Sequence, residues 1–311
     1  MNRCLLTYQH CGDQRYSKEG LRSLSSKLQS LQVFPLRKEE QLKLALEYAD
    51  KLSFSGVQKK LNARLAISKA TFEVVPRSGT YIIKPQNPDY SELPENEDLT
   101  MKLADCVGID TPLHGLLHCS DGSLSYFIKR FDRTGKGRKI AVEDFSQLAG
   151  LSRDTKYDFS MERLIPLIDR FCTFPAVEKK KLFQRTLFSF LIGNEDLHLK
   201  NFSLIHHGQT VEFSPAYDLV NSTIVTDTGE EMALPLRGKK SNFTRGDLVD
   251  YYGHERLNLA PEIINDVLVL FQKTLRTWAE LISISFLSEE KKKAYLNLLD
   301  ERKKRIFAPH K

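Results

Sequence analysis

The chain has 311 residues, of which 41% are hydrophobic and 28% charged, and 46 Lys and Arg against 40 Asp and Glu leave a net charge of +6. That length accommodates one large domain or two lobes with separate cores. A charge this mild demands neither nucleic acid nor an anionic surface, although it suits acidic ligands such as nucleotides.

Five scattered cysteines (Cys4, Cys11, Cys106, Cys119 and Cys172) form no C-x-x-C pair and no even set, which points to reduced thiols. No apolar run nears the ~18 residues of a membrane span. The N-terminal "MNRCLLTYQHCG" also lacks the apolar core of a secretory signal. A cytoplasmic protein is expected.

Residues 1–35 are polar and serine-rich around "LRSLSSKLQSL" and predict an irregular or partly helical lead-in. "RKEEQLKLALEYADKL" (37–52) places Leu42, Leu46 and Ala49 at helical spacing. "LSFSGVQKKL" (52–61), with a single glycine, Gly56, is either an unusual phosphate loop, a regulatory site or only a turn into a strand. The alternating "NARLAISKATFEVV" predicts a strand over 62–75, and "PRSG" turns it into a second strand, "TYIIKP". A helix over "ENEDLTMKLADCVG" (95–108) follows, with Leu99, Leu103, Ala104 and Val107 on one face and Gly108 at its C-terminus. A strand pair is expected over 113–131, broken at "CSDGS".

Beyond Arg133 the pattern turns helical: "VEDFSQLAGL", "SMERLIPLIDRF" and "AVEKKKLFQRTLFSFLIG", then irregular β character over 194–217. Two long helices, "PEIINDVLVLFQKTLRTWAELIS" and "SEEKKKAYLNLLDERKKRI", close the chain. The expected class is α+β and two-lobed. Residues 1–35 form the lead-in, 36–132 a β-rich N-lobe and 133–311 a helical C-lobe, hinged around Lys129–Arg133.

In "LIGNEDLHLKNFSLI", Asp196 and Asn201 stand five positions apart. Phosphotransferases use this spacing for an aspartate that accepts the acceptor hydroxyl's proton and an asparagine that reaches Mg²⁺. Asp218 in "FSPAYDLV" suits a second metal ligand, or by itself a turn cap. Lys84 ends an apolar strand, where its ammonium either meets an anion such as the ATP phosphates or snorkels to water. Glu97 is either its orienting carboxylate or a first-turn helix acid. Loop glycine, strand lysine, helix glutamate, linker strand, Asp–x4–Asn and a further Asp follow one another in the order of a two-lobed protein kinase.

At these residues the chain resembles the HipA family of bacterial serine/threonine kinase toxins. "GNEDLHLKNFSLI" matches the family's catalytic-loop signature, "SPAYDLV" its metal-aspartate motif, "TYIIKP" its ATP-lysine strand, and "SFSGVQKKL" its phosphate loop. "IKRFDR" resembles its hinge and "MALPLRGKKSNFTRGDL" a later segment, so the likeness covers roughly residues 50–260.

The resemblance implies Asp196 as catalytic base, Asn201 and Asp218 as Mg²⁺ ligands, and Lys84, oriented by Glu97, on the ATP phosphates. It implies Ser55, Gly56, Val57, Gln58, Lys59 and Lys60 wrapped around the nucleotide, and Lys129, Arg130 and Phe131 at the adenine. His198, Lys200 and Tyr217 would complete the pocket, His198 either touching ATP or bracing the loop.

About 50 residues precede the loop, whereas full-length family members carry an additional N-terminal subdomain. The serine–hydrophobic–serine triplet Ser53–Phe54–Ser55 resembles the compact HipT branch, in which a separate small protein supplies that subdomain. Autophosphorylation is expected at Ser53, Ser55 or both. The implied targets are aminoacyl-tRNA synthetases, tryptophanyl first and glutamyl second. The implied partners are a HipB-like helix-turn-helix antitoxin and a small HipS-like accessory protein, with DNA met only through the antitoxin and no membrane contact.

A silent pseudokinase that binds an antitoxin or regulator, and a lipid or small-molecule kinase, are the rival readings. The basic runs "EKKK", "EEKKK" and "ERKKR" are expected on solvated helix faces, and "RGKK" in a flexible loop.

Overall fold

The structure is a computed structural model that describes residues 2–49, 59–134, 138–151, 157–226 and 228–307. The chain divides into two compact units. The first comprises Met1–Leu99, Pro112–Lys139 and Ile284–Leu287, and the second Thr100–Thr111, Ile140–Ser283 and Ser288–Lys311.

The first unit is built on a five-stranded sheet. Its strands are β1 (Leu61–Ala66), β2 (Thr71–Val74), β3 (Tyr81–Lys84), β4 (His114–His118) and β5 (Leu124–Lys129). They lie in the order β2-β1-β3-β5-β4, and every neighbouring pair is antiparallel. β3 and β5 bury Tyr81, Ile83 and Phe127. Phe72 meets both Tyr81 and Phe127 at 5.0 Å between ring centroids.

Helices α1 (Lys18–Leu24), α2 (Lys38–Ala49) and the start of α3 (Leu93–Cys106) complete the unit. Leu5, Leu6, Tyr8 and Tyr16 are buried in its core, and Leu5 accepts a backbone hydrogen bond from Leu116 in β4. The strand expected over 62–75 is itself a hairpin, because Ala70 adopts a left-handed conformation (φ 49°) that reverses the chain after a short 3₁₀ turn. β1 therefore pairs with both β2 and β3.

The second unit is mainly helical. It contains α4 (Phe145–Leu148), α5 (Met161–Phe171), α6 (Pro175–Ile192), a π-helical segment over Gly246–Arg256, α7 (Pro261–Ile284) and α8 (Glu289–Phe307). In α7 the buried positions Ile264, Val267, Leu268, Phe271, Thr274, Trp278 and Ile282 recur at three- and four-residue steps. Trp278 is fully buried, and its indole N–H donates to Leu103 O at 2.9 Å.

A small sheet, β6 (Val142–Asp144), β7 (Ser203–His207) and β8 (Thr210–Phe213), runs in the order β6-β7-β8. The helix expected over 142–151 is thus split. Asp144 ends β6 and caps α4, accepting from Gln147 N while Gln147 Oε1 accepts from Asp144 N. The π-helical segment had no counterpart in the sequence reading.

Three of the basic runs do more than face solvent. Arg302 of α8 is buried and donates to Phe190 O at 2.6 Å, and Arg305 pairs with Glu231. "RGKK" is anchored as well, since Lys239 Nζ lies 2.7 Å from Asp247 Oδ2. Glu178, which opens "EKKK", is buried and accepts from Phe213 N at 2.8 Å.

Gly193 ends α6 in the left-handed region (φ 77°), where a Cβ would stand 2.7 Å from Asn221 Oδ1, 2.8 Å from Thr223 Oγ1 and against Leu298. Gly193→Ala combines left-handed strain with overpacking, and is expected to destabilise the protein by about 2–4 kcal/mol. A lower denaturant midpoint at unchanged slope is the expected readout; an unchanged midpoint would contradict this account of the turn.

Candidate functional site

In the first unit, β3 delivers Lys84 to a buried position, 5% exposed, opposite Tyr126 in the β3–β5 register. Its Nζ lies 2.6 Å from Glu97 Oε1 and 5.7 Å from the centre of the Tyr126 ring. Glu97 is fully buried in α3. Taking both charges out of water costs several kcal/mol each, which only close pairing and further hydrogen bonds offset. The snorkelling alternative for Lys84 is therefore excluded, and Glu97 is no solvated first-turn acid.

The neighbouring polar positions are also engaged, Glu95, Asp98 and His114 buried and Gln86 half-buried. Gln86 Nε2 donates to both Glu95 oxygens at 2.9 Å, and His114 Nδ1 lies 2.7 Å from Asp98 Oδ1. Lys59 is exposed and Lys60 half-buried just ahead of β1. Ser53, Ser55, Gly56, Val57 and Gln58 lie outside the described residues.

At the end of β5, Lys129 is exposed. Arg130 has its guanidinium on Asp132 through Nε (2.8 Å) and Nη2 (2.6 Å) and on Asn62 Oδ1 (2.9 Å). Arg130 therefore braces the strand end in this conformation, and Phe131 beside it is half-buried.

In the second unit, the segment after α6 is fixed at several points. Asn194 N donates to Ser189 O, Glu195 N to Ser222 Oγ (2.7 Å), and Asp196 N to Asn194 Oδ1 (3.1 Å). The Glu195 carboxylate accepts from Thr223 (2.6 Å) and Thr228 (2.7 Å). The Asp196 carboxylate stays exposed at the tip of this frame, with Tyr157 Oη donating to its Oδ1 at 2.7 Å.

His198 is buried, 3.9 Å from Asp196 Oδ1 through Nε2, and its backbone N–H donates to Asn201 Oδ1 at 3.1 Å. That bond turns the Asn201 amide oxygen inward along a short 3₁₀ turn, Leu199–Asn201. The β7–β8 hairpin then links Asn201 to Asp218. Arg185, buried within α6, donates to Ser214 O, and Tyr217 Oη donates to Lys200 O at 2.8 Å and meets Ser203 Oγ. Burial pushes the Arg185 guanidinium down to about 10, still charged at neutral pH, and pushes the Tyr217 phenol up. Lys200 pairs with Asp144 at 3.2 Å, so it supports the hairpin.

Asp218 is exposed in the left-handed region (φ 54°), a conformation that aspartate tolerates better than most residues. Among the described residues no three His, Cys, Asp or Glu side chains converge on a metal position. The donors on offer, the Asp218 carboxylate and the Asn201 amide oxygen, are hard oxygens of the kind Mg²⁺ takes when phosphate oxygens and water complete its shell.

Three residues escaped the sequence reading. Tyr157 lies in a polar stretch far from Asp196 in sequence and carried no signal. Glu195 was hidden inside the signature itself. Arg185, a lone cation in the apolar run "LFQRTLFSFLIG", was the one a reader could have found.

The fold is that of a kinase-like protein. HipA of Shewanella oneidensis, solved in complex with HipB and its operator DNA, is similar with a TM-score of 0.68 at 24% identity, over 90% of this chain and 73% of that one. The HipA-like C-terminal domain matches residues 52–278, and the chain belongs to that family. Protein Y4dM of Sinorhizobium fredii is 38% identical over 198 residues, 59% of this chain and 48% of Y4dM. The serine/threonine-protein kinase toxin HipA of Shewanella oneidensis is 30% identical over 206 residues, 60% of this chain and 47% of that protein. The chain thus spans about half the length of these two relatives.

Removing Lys84 takes the cation from a fully buried carboxylate. Lys84→Met is expected to cost about 3–5 kcal/mol in urea unfolding, and adding Glu97→Gln to recover most of that loss. If the single variant unfolds like wild type, the pair is not the constraint inferred here.

Proposed function

We propose that the chain is a Mg²⁺- and ATP-dependent serine/threonine protein kinase that acts as the toxin of a toxin–antitoxin system. The observation that carries this reading is the buried Lys84–Glu97 pair, 2.6 Å apart. An ion pair in so dry a place is weak evidence for stability, and a lysine held there beside a carboxylate is a cation placed to meet an anionic ligand. Asp196 ahead of the 3₁₀ turn, with Asn201 and Asp218 at the two ends of the clamped hairpin, would supply the complementary chemistry.

Lys84 would neutralise and position the nucleotide phosphates, with Lys59 and Lys60 adding positive potential. Asp196 would hold the acceptor hydroxyl and take its proton as the oxygen attacks the γ-phosphorus in line. Asn201 and Asp218 would hold Mg²⁺, which when bound neutralises charge on the phosphate oxygens. His198 braces the Asn201 turn through its backbone, and catalysis consists largely of positioning.

The finer assignment follows the resemblance to the compact HipT branch. A HipB-like antitoxin and a HipS-like accessory protein would be its partners, the first supported by the HipB bound to the similar Shewanella oneidensis HipA. The substrate would be an aminoacyl-tRNA synthetase, tryptophanyl before glutamyl, so that translation stops. Ser53 or Ser55 would be autophosphorylated. Among the described residues no helix is long and apolar enough to cross a membrane; a cytoplasmic site of action is part of the same proposal.

Purified chain with Mg-ATP and tryptophanyl-tRNA synthetase is expected to yield phosphorylated synthetase by mass spectrometry. Asp196→Asn should lower the rate about 10²–10⁴-fold. Transfer that persists in Asp196→Asn, or no transfer to any protein acceptor from wild type, would sink the kinase assignment. Transfer to glutamyl-tRNA synthetase alone would redirect the substrate.

A further inference from the structure

The hydroxyl of Tyr157 donates to Asp196 Oδ1 at 2.7 Å. Under the kinase reading, which this inference rests on, that is the contact an acceptor hydroxyl makes with the catalytic carboxylate as phosphoryl transfer begins. Two features hold the phenol there. Its ring packs edge-on against His198, with centroids 5.2 Å apart and planes at 76°, and His198 is itself 3.9 Å from the same Asp196 oxygen.

A purely structural brace explains the contact less well. The Asp196 side chain is 62% exposed, so solvent screens this bond, and even a hydrogen bond to a charged group contributes no more than about 1.5–3 kcal/mol. The Asp196 loop is already secured from behind by Asn194, Ser222 and the Glu195–Thr223–Thr228 contacts. What the phenol adds is an O–H on the proposed base.

We propose that Tyr157 is a phosphoacceptor for the chain's own Asp196, so that the tyrosine is modified within one molecule. With a nucleoside triphosphate and a divalent cation bound, the phenol oxygen forms a bond to the γ-phosphorus as its proton passes to Asp196 Oδ1. The bond from the γ-phosphorus to the bridging β,γ-oxygen breaks, and the nucleoside diphosphate leaves with that electron pair. Burial, followed by the hydrogen bond and negative charge of Asp196, holds the phenol above its ordinary pKa. It therefore keeps its proton until attack. The product carries about −1.5 to −2 charge beside the Asp196 carboxylate, and this repulsion would drive the ring off the base.

The test uses the phosphatase-treated full chain with Mg-ATP, followed by intact mass, ADP release and tryptic mapping. Phosphotyrosine is expected on the peptide Tyr157–Arg163, with the fraction modified per minute unchanged on dilution. It should be absent from Tyr157→Phe and slowed about 10²-fold or more in Asp196→Asn. Dilution-dependent labelling, or labelling of a Lys84→Met chain by wild type, would make the transfer intermolecular and overturn the proposal. ADP release or phosphoserine with Tyr157 unmodified would overturn it and leave the kinase reading standing. Neither ADP release nor phosphate anywhere would remove both.

Discussion

The first unit is organised by a single electrostatic requirement: an ammonium and a carboxylate, both withdrawn from water, must meet. Lys84 arrives on a strand and Glu97 on a helix, and their 2.6 Å contact holds only if both elements are in register. The sheet supplies that precision. Leu61 faces Ile83 on one side of β3 and Tyr126 faces Lys84 on the other. A slip of one residue would turn the lysine to the opposite face and leave an aliphatic side chain against the carboxylate. Buried aromatic packing among Phe72, Tyr81 and Phe127 opposes that slip.

The second unit reaches the same end by hydrogen bonds. Its two loops are held from behind, by Glu195 on Thr223 and Thr228 and by Arg185 on Ser214 O, while Asp196 and Asp218 stay exposed. A frame of this kind lets acidic groups face solvent without wandering, which chemistry by positioning requires. The left-handed Asp218 and Gly193 mark where the chain bends sharply to present them.

The β-rich first unit, the helical second unit and the order of the motifs were legible in the sequence, because short β-branched runs such as "TYIIKP" and three-to-four spacing in α7 follow from burial. The burial of Lys84 was not legible. One strand lysine reads the same whether it faces water or a carboxylate, and only the fold brings Glu97 to it. Basic runs misled for a related reason. Arg302 and Arg305 sit in a stretch whose composition describes a solvated face, yet a buried carbonyl and Glu231 recruit them. The 62–75 strand was read through its turn because Ala70, not glycine or asparagine, takes the left-handed position. Tyr157 was invisible, since long-range contacts of loop residues leave no period in a sequence.

The match to the HipA-like C-terminal domain ends at residue 278, before α8 begins. Yet α8 is the floor under the most recognisable motif in the chain. Arg302 holds the Phe190 carbonyl near the end of α6, Leu298 presses on Gly193, and Tyr295 meets Thr100. The boundary of that domain match is therefore not a boundary of mechanical support. A fragment cut at residue 278 would keep every residue of the signature while losing what keeps the turn at Gly193 tight, and it would carry the letters of the site without its shape.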